Sequence, residues 1–273
     1  MPENSRIDQK FSELARKGEC ALVCYVVAGY PDLHTSEAIV ERLVQGGADA
    51  IEIGIPFSDP IADGPTIQAA SHAALESGIT PDDALKLAAR LRKKHPSLPL
   101  IVMTYSNILA RRGYEKFISD SRKSGIDGFI IPDMPVEEAA EYANAARCHA
   151  MSTIFLASPN TPASRLELIL KSTSGFLYLV SVFGITGARK NFEDYTLKAI
   201  RDVKWSAGSK VPVAVGFGIS KPEHVRFMIS AGADAVIVGS AIVDIILRSP
   251  ERKAIMLDRI KAYSRRMKAA CKK

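Results

Sequence analysis

A chain of 273 residues, 47% hydrophobic and 24% charged, is long enough to bury one large core, and its four cysteines form no framework on which such a core would depend. The excess of 36 Lys+Arg over 30 Asp+Glu gives a net charge of +6. Much of that excess falls in Arg259, Lys261, Arg265, Arg266, Lys268, Lys272 and Lys273, which reads as a solvated helix face and frayed tail rather than a nucleic-acid or membrane patch. The opening stretch, 1–18, is charged, lacks an apolar signal core and carries helical periodicity in Ile7, Phe11, Leu14 and Ala15. An extra N-terminal helix that plugs or flanks the bottom of the fold is expected there. From residue 21 onward, short Val- and Ile-rich runs alternate with longer amphipathic stretches, the order that βα units and a parallel sheet require. Strands are predicted at 21–28, 50–53, 100–104, 128–131, 152–156, 176–180, 211–215 and 235–238, each followed by a helix. Eight such units close a (β/α)8 TIM barrel. No composition break marks a second domain, so residues 1–273 read as a single barrel domain. The longest apolar run, 21–28, is far too short to cross a bilayer, and Cys20, Cys24, Cys148 and Cys271 form no Cys-x-x-Cys pair. A soluble cytoplasmic protein with reduced thiols is expected.

An internal echo supports the strand count. Segments 46–54 (GGADAIEIG), 124–132 (SGIDGFIIP) and 231–239 (AGADAVIVG) share one pattern: a glycine ends a helix, an aspartate precedes the strand, and a glycine or proline turns the chain beyond it. Asp49, Asp127 and Asp234 therefore belong at the bottom of the barrel, as turn caps. Barrel chemistry occurs at the opposite, carboxyl ends of the strands.

Glu52 is three residues further along, toward that end. Alternation puts Ile51 and Ile53 on one face and Ala50, Glu52 and Gly54 on the other, so a charge shares its face with small residues only. Burying it unpaired costs several kcal/mol or raises its pKa. The Pro- and Gly-rich loop that follows carries Asp59 and Asp63, which could bring a second carboxylate near the first, as acid/base chemistry on one small substrate requires.

Two later strand ends have the form of phosphate grips: Gly216-Phe217-Gly218-Ile219-Ser220 before a helix opened by Lys221-Pro222-Glu223, and Gly239-Ser240-Ala241. Glycines let backbone N–H groups approach an anion, and a helix start adds its positive dipole end. Tight turns alone would also use these glycines. The Gly- and Thr-containing loop 182–191 has the length of a lid, or of a plain surface connection. Tyr178 alternates with Leu177 and Leu179 and points either into the barrel mouth or into a structural site. Tyr25, Met103, Tyr105, Ile130 and Phe217 lie near strand ends and could wall an apolar pocket. The histidines at 34, 72, 95, 149 and 224 have no metal-ligand spacing, and no metal site is expected.

Taken together, residues 51–68 (IEIGIPFSDPIADGPTIQ), the loop 184–187 (GITG), 216–220 (GFGIS) and 239–243 (GSAIV) resemble the tryptophan synthase alpha subunit over nearly the whole chain. The first motif is long and specific. The resemblance implies a lyase that cleaves indole-3-glycerol phosphate by a retro-aldol reaction to indole and glyceraldehyde 3-phosphate, indole passing to a beta subunit. It makes Glu52 the general acid/base and Asp63 the partner of the indole N–H. Tyr178, Thr186, Gly187, Phe217, Gly218, Gly239 and Ser240 become substrate-binding residues, with Thr186 ordering the lid over Asp63, and Asp59 faces the beta subunit. No cofactor is implied in this chain; pyridoxal phosphate belongs to the beta subunit of an expected alpha-beta-beta-alpha heterotetramer. Tyr25 stands where the family often has phenylalanine, Val182-Phe183 where an arginine usually opens the lid, and Pro132 where a small residue is often found. Two rival readings remain: a docking subunit with little lyase activity of its own, and a phosphoribosyl isomerase barrel sharing only the phosphate grip.

Overall fold

Alternation along each strand divides the side chains into two packed layers, and that division builds the molecule. A computed structural model describes residues 5–180, 189–216, 218–249 and 252–272, with backbone alone over 189–194. Its strands are β1 (Ala21–Val27), β2 (Ala50–Gly54), β3 (Leu100–Met103), β4 (Gly128–Ile130), β5 (Ser152–Ile154), β6 (Leu156–Ala157), β7 (Leu177–Val180), β8 (Val213–Gly216) and β9 (Ala235–Val238). They pair in parallel in the order β5-β4-β3-β2-β1-β9-β8-β7-β6. The two ends of that order are joined by Phe155 alone, and its carbonyl accepts the Tyr178 N–H at 2.9 Å. The sheet therefore curls into a nearly closed barrel.

The strand expected over 152–156 is thus two strands. Its first half pairs with β4 and its second with β7, so one barrel strand changes partner at Phe155. Leu22, Cys24 and Val26 of β1, with Ile51 and Ile53 of β2, face outward into the layer beneath the helices. Ala21, Val23, Tyr25 and Val27, with Ala50, face the barrel interior.

The helices are α1 (Arg6–Arg16), α2 (Leu33–Gln45), α3 (Pro65–Glu76), α4 (Pro81–Lys94), α5 (Ser106–Arg112), α6 (Tyr114–Lys123), α7 (Ala140–Cys148), α8 (Ala163–Ser172), α9 (Arg189–Ala207), α10 (Pro222–Ser230), α11 (Ser240–Leu247) and α12 (Lys253–Ala269). The chain runs through two helices after each of β2, β3 and β9. The expected N-terminal helix is α1, and it plugs the barrel: Ile7, Phe11 and Leu14 join the interior cluster, and Phe11 lies 5.6 Å from Phe176, ring centre to ring centre.

The three echoed aspartates fasten the bottom of the barrel by one rule. Each accepts a backbone N–H from the start of the preceding neighbour strand in the ring: Asp49 from Leu22 at 2.8 Å, Asp127 from Leu100 at 2.9 Å and Asp234 from Val213 at 2.9 Å. Each also holds a cation. Asp127 takes Arg6 at 2.8 Å and Arg92 at 2.7 Å, Asp234 takes Lys204, and Asp49 takes Lys268 at 2.9 Å. That last pair corrects the expectation of a wholly solvated C-terminal face. Lys268 is half-buried between Asp49 and Glu19, and Lys272 bridges back to Glu19 rather than fraying. A lysine stem covers apolar surface while its ammonium reaches the carboxylates, which explains why a basic residue sits on the packed side. All four cysteines are free thiols, three of them buried. No described helix is long and apolar enough to cross a membrane.

Candidate active site

Glu52 occupies the inward face of β2 between two residues with little or no side chain, Ala50 and Gly54, so nothing on its own strand crowds or pairs it. It is 1% exposed, and its Oε2 has no hydrogen-bond partner. Burial, and then repulsion from Asp63, pushes its pKa from 4.5 up to about 8. The group is therefore a carboxylic acid at neutral pH, poised to give up its proton.

Asp63 is placed by the loop between β2 and α3. Its N–H donates to the Pro60 carbonyl at 3.0 Å, and its carbonyl accepts from the Gln68 side chain at 2.8 Å. The Tyr105 hydroxyl, beyond the end of β3, donates to Asp63 Oδ2 at 3.0 Å and accepts the Ala62 N–H at 3.2 Å. Phe57 stacks on the Tyr105 ring with centres 5.0 Å apart. Burial raises the Asp63 pKa from 3.8 to about 6, against the lowering effect of the Tyr105 hydrogen bond. Both carboxyls are thus held above their ordinary pKa values, Glu52 further than Asp63.

Both shifts are upward, so folding stability falls as pH rises. Between 4.5 and about 8 the folded state keeps a proton on Glu52 that the unfolded chain has released. The wild type is expected to lose stability relative to Glu52→Gln across that window, by a few kcal/mol at most at ~1.4 kcal/mol per pKa unit, with the difference level below it. Urea denaturation of both proteins at pH 4, 6 and 8 checks this. A pH-independent difference would contradict the assignment.

Both carboxyls open into one cavity of about 290 Å³. Met103, Ile130, Leu156 and Ile237 give it apolar walls, and Tyr25 and Tyr178 line it as well. Gly218, Ile219, Gly239 and Ser240 contribute the ends of β8 and β9. Gly218 has φ +75°, a conformation that side chains disfavour, and Ser240 opens α11. Two strand-end glycines exist to admit a phenol. A Cβ on Gly54 would lie 2.1 Å from the Tyr25 hydroxyl, and a Cβ on Gly216 would lie 2.1 Å from that of Tyr178.

Nine residues that the sequence pointed to share the cavity: Glu52, Asp63, Tyr178, Gly218, Gly239 and Ser240, with Tyr25, Met103 and Ile130 among its walls, whereas Tyr105 meets it only through its bond to Asp63. Thr186, Gly187 and Phe217 lie outside the described residues. Asp59 is exposed on the loop, where it accepts the Ser58 hydroxyl at 2.5 Å. Sequence reasoning missed Leu156 and Ile237 as cavity walls. Alternation from Tyr178 and Ala235 carries the signal for Ile237, whereas Leu156 depends on the break at Phe155. It also missed the Tyr105–Asp63 bond, which joins residues 42 apart.

The family model for the tryptophan synthase alpha chain matches residues 11–272. The chain belongs to that family. A tryptophan synthase alpha chain from Methanothermobacter thermautotrophicus is 44% identical over 261 residues, 95% of this chain and 96% of the relative. The crystal structure of the alpha subunit from Legionella pneumophila superposes with a TM-score of 0.90 at 34% identity, covering 98% of each chain. A chain of the tryptophan synthase complex from Pyrococcus furiosus superposes at 0.83 and 37% identity, over 92% of this chain and 98% of that one. The family match takes in the whole barrel, the β2–α3 loop and the second half of the α1 plug. In this member of the tryptophan synthase alpha family, no group of three His, Cys, Asp or Glu side chains among the described residues could hold a metal ion.

Proposed function

We propose that the chain, as one barrel domain spanning 1–273, cleaves indole-3-glycerol phosphate to indole and glyceraldehyde 3-phosphate. The observation that carries this reading is a buried Glu52, without a partner on Oε2, in one cavity with Asp63 and two glycine-bearing strand ends. Backbone N–H groups at Gly218, Gly239 and Ser240, with Gly187, hold the phosphate and so fix the substrate's polar end. Tyr178, its hydroxyl over Gly216, supports the polar end as well. Phe217 and the apolar walls take up the indole ring, and Thr186 orders the lid over Asp63.

Chemistry follows from the two carboxyls. Glu52 gives its proton to the indole ring carbon that bears the glycerol chain, making a cationic indolenine, while Asp63 accepts the ring N–H and offsets the charge. The Glu52 carboxylate then takes the proton of the adjacent hydroxyl. The carbon–carbon bond breaks, its electrons return to the ring to give indole, and the hydroxyl carbon becomes the aldehyde. Glu52 ends as it began, protonated.

Asp59 faces a beta subunit, with which the chain forms an alpha-beta-beta-alpha heterotetramer in the cytoplasm; pyridoxal phosphate resides in that partner and this chain carries no cofactor. Ile61, 81% exposed beside Asp59, supports a protein-facing role for the loop. Release of indole from indole-3-glycerol phosphate, assayed with and without a beta subunit, tests the reading. Indole-propanol phosphate is expected to compete with substrate, and phosphoribosyl compounds are expected not to. No indole under either condition would sink the lyase assignment, and affinity for phosphoribosyl compounds alone would favour an isomerase.

A further inference from the structure

Among the groups around Glu52, one hydroxyl has a placement that the reaction above does not use. Tyr25 of β1 stands directly opposite Glu52 of β2 in the parallel register, and both face the interior. The Tyr25 ring leans across to β2, so that its hydroxyl sits over Gly54, in the space a side chain there would fill. Positions 52 and 54 share a face of the strand and are about 6.6 Å apart along it. A glutamate side chain leaning along the strand covers much of that gap, and a hydrogen bond covers the rest. Glu52 Oε2 is buried and has no hydrogen-bond partner in the resting arrangement. The Tyr178 hydroxyl lies over Gly216 on β8, with β9 and β1 between that strand and β2.

We propose that the Tyr25 hydroxyl is the positioning partner of Glu52, donating to Oε2 whenever the carboxyl ionises. The inference rests on the lyase reading and adds a residue to it. A phenol can donate to the carboxylate and accept from the acid, so one hydroxyl serves both halves of the proton cycle. Donation favours the charged form, returning Glu52 to the state that must remove the substrate's hydroxyl proton. The other titratable groups around Glu52 are Asp63 from the β2–α3 loop, Tyr105 beyond β3 and Tyr178 from β7; no Lys, Arg or His lies among the described residues that line the cavity.

Tyr25→Phe removes the hydroxyl and keeps the ring. It is expected to lower kcat by about tenfold, leave KM within about twofold, and move the Glu52 limb of the kcat–pH profile upward by about one unit. In a Glu52→Gln background the same change is expected to cost less than about twofold, because its target is gone. The pH at which the wild type stops losing stability relative to Glu52→Gln reports the same ionisation without turnover, and it too moves upward in Tyr25→Phe. Unmoved profiles in both measurements would overturn the proposal. Absence of indole release by the unsubstituted protein would instead sink the lyase reading, leaving the stability titration to judge Tyr25. Should Tyr25→Phe fail to fold, 3-fluorotyrosine at position 25 keeps ring and hydroxyl; as a stronger donor it moves both profiles downward, and no movement overturns the proposal.

Discussion

Glu52→Gln is expected to lower the rate of indole release by on the order of 10²–10⁴ or more, the span associated with loss of a general acid/base. The amide has nearly the shape of the carboxyl, so the cavity keeps its volume and the strand its register. What disappears is the transferable proton. Glu52 is buried, neutral near pH 7 and without a partner on Oε2, so no neighbouring acid is arranged to take over its work. Asp63 is closest in chemical kind, but its carboxylate is committed to Tyr105, whose hydrogen bond favours its charged form. Affinity for indole-propanol phosphate is expected to stay within about threefold of wild type, since the phosphate grip and apolar walls are untouched. Steady-state release of glyceraldehyde 3-phosphate, with inhibitor titration alongside, measures both quantities. Near-normal turnover would remove Glu52 from its role.

The second large effect lies at the other end of the barrel and concerns stability alone. Asp127→Ala is expected to destabilise the fold by about 3–5 kcal/mol, the usual cost of removing one partner from a buried ion pair. Asp127 is 2% exposed and accepts from the Leu100 N–H, from Arg92 and from Arg6. Alanine strands that N–H and leaves the largely buried Arg92 guanidinium without its carboxylate. The α1 plug also loses its tie to β4. By contrast, the exposed Lys171–Glu167 pair on α8 is screened by solvent and contributes little, and Glu167→Ala serves as the control. Urea midpoints at constant slope read the difference. A loss below about 1 kcal/mol would show that the staple is ornamental. Turnover of the folded fraction is expected to be unchanged, because the cavity lies at the opposite strand ends.

Sequence periodicity was sufficient for those parts of the fold that each strand or helix decides by itself. Alternation put Glu52 on the face opposite Ile51 and Ile53, which is the barrel interior, and the spacing of Ile7, Phe11 and Leu14 gave a helix whose choice between plugging and flanking the bottom the fold decides. The repeated Gly-x-Asp pattern marked the barrel bottom because every copy obeys the same local rule. What stayed hidden depends on contacts between distant segments. Phe155 carries no breaker signal; the strand splits there because its two halves face different neighbours. Lys268 reads as one more surface lysine until α12 docks and brings it to Asp49, 219 residues away. The Tyr105–Asp63 bond likewise joins two loops whose order no local pattern sets. At the site, residue types were legible and their pairings were not.

A consequence for substrate capture follows from the cavity lining. A phosphorylated substrate carries up to two negative charges, yet no lysine or arginine lies among the described residues around the cavity, while two carboxyls do. Were both ionised, the field at the mouth would oppose the very molecule the site is built to receive. The proton held on Glu52 halves that opposition before any bond is touched. On the lyase reading proposed above, the proton that makes Glu52 an acid also lowers the charge a phosphorylated substrate meets at the mouth, so capture and proton donation are expected to fade together as that carboxyl ionises.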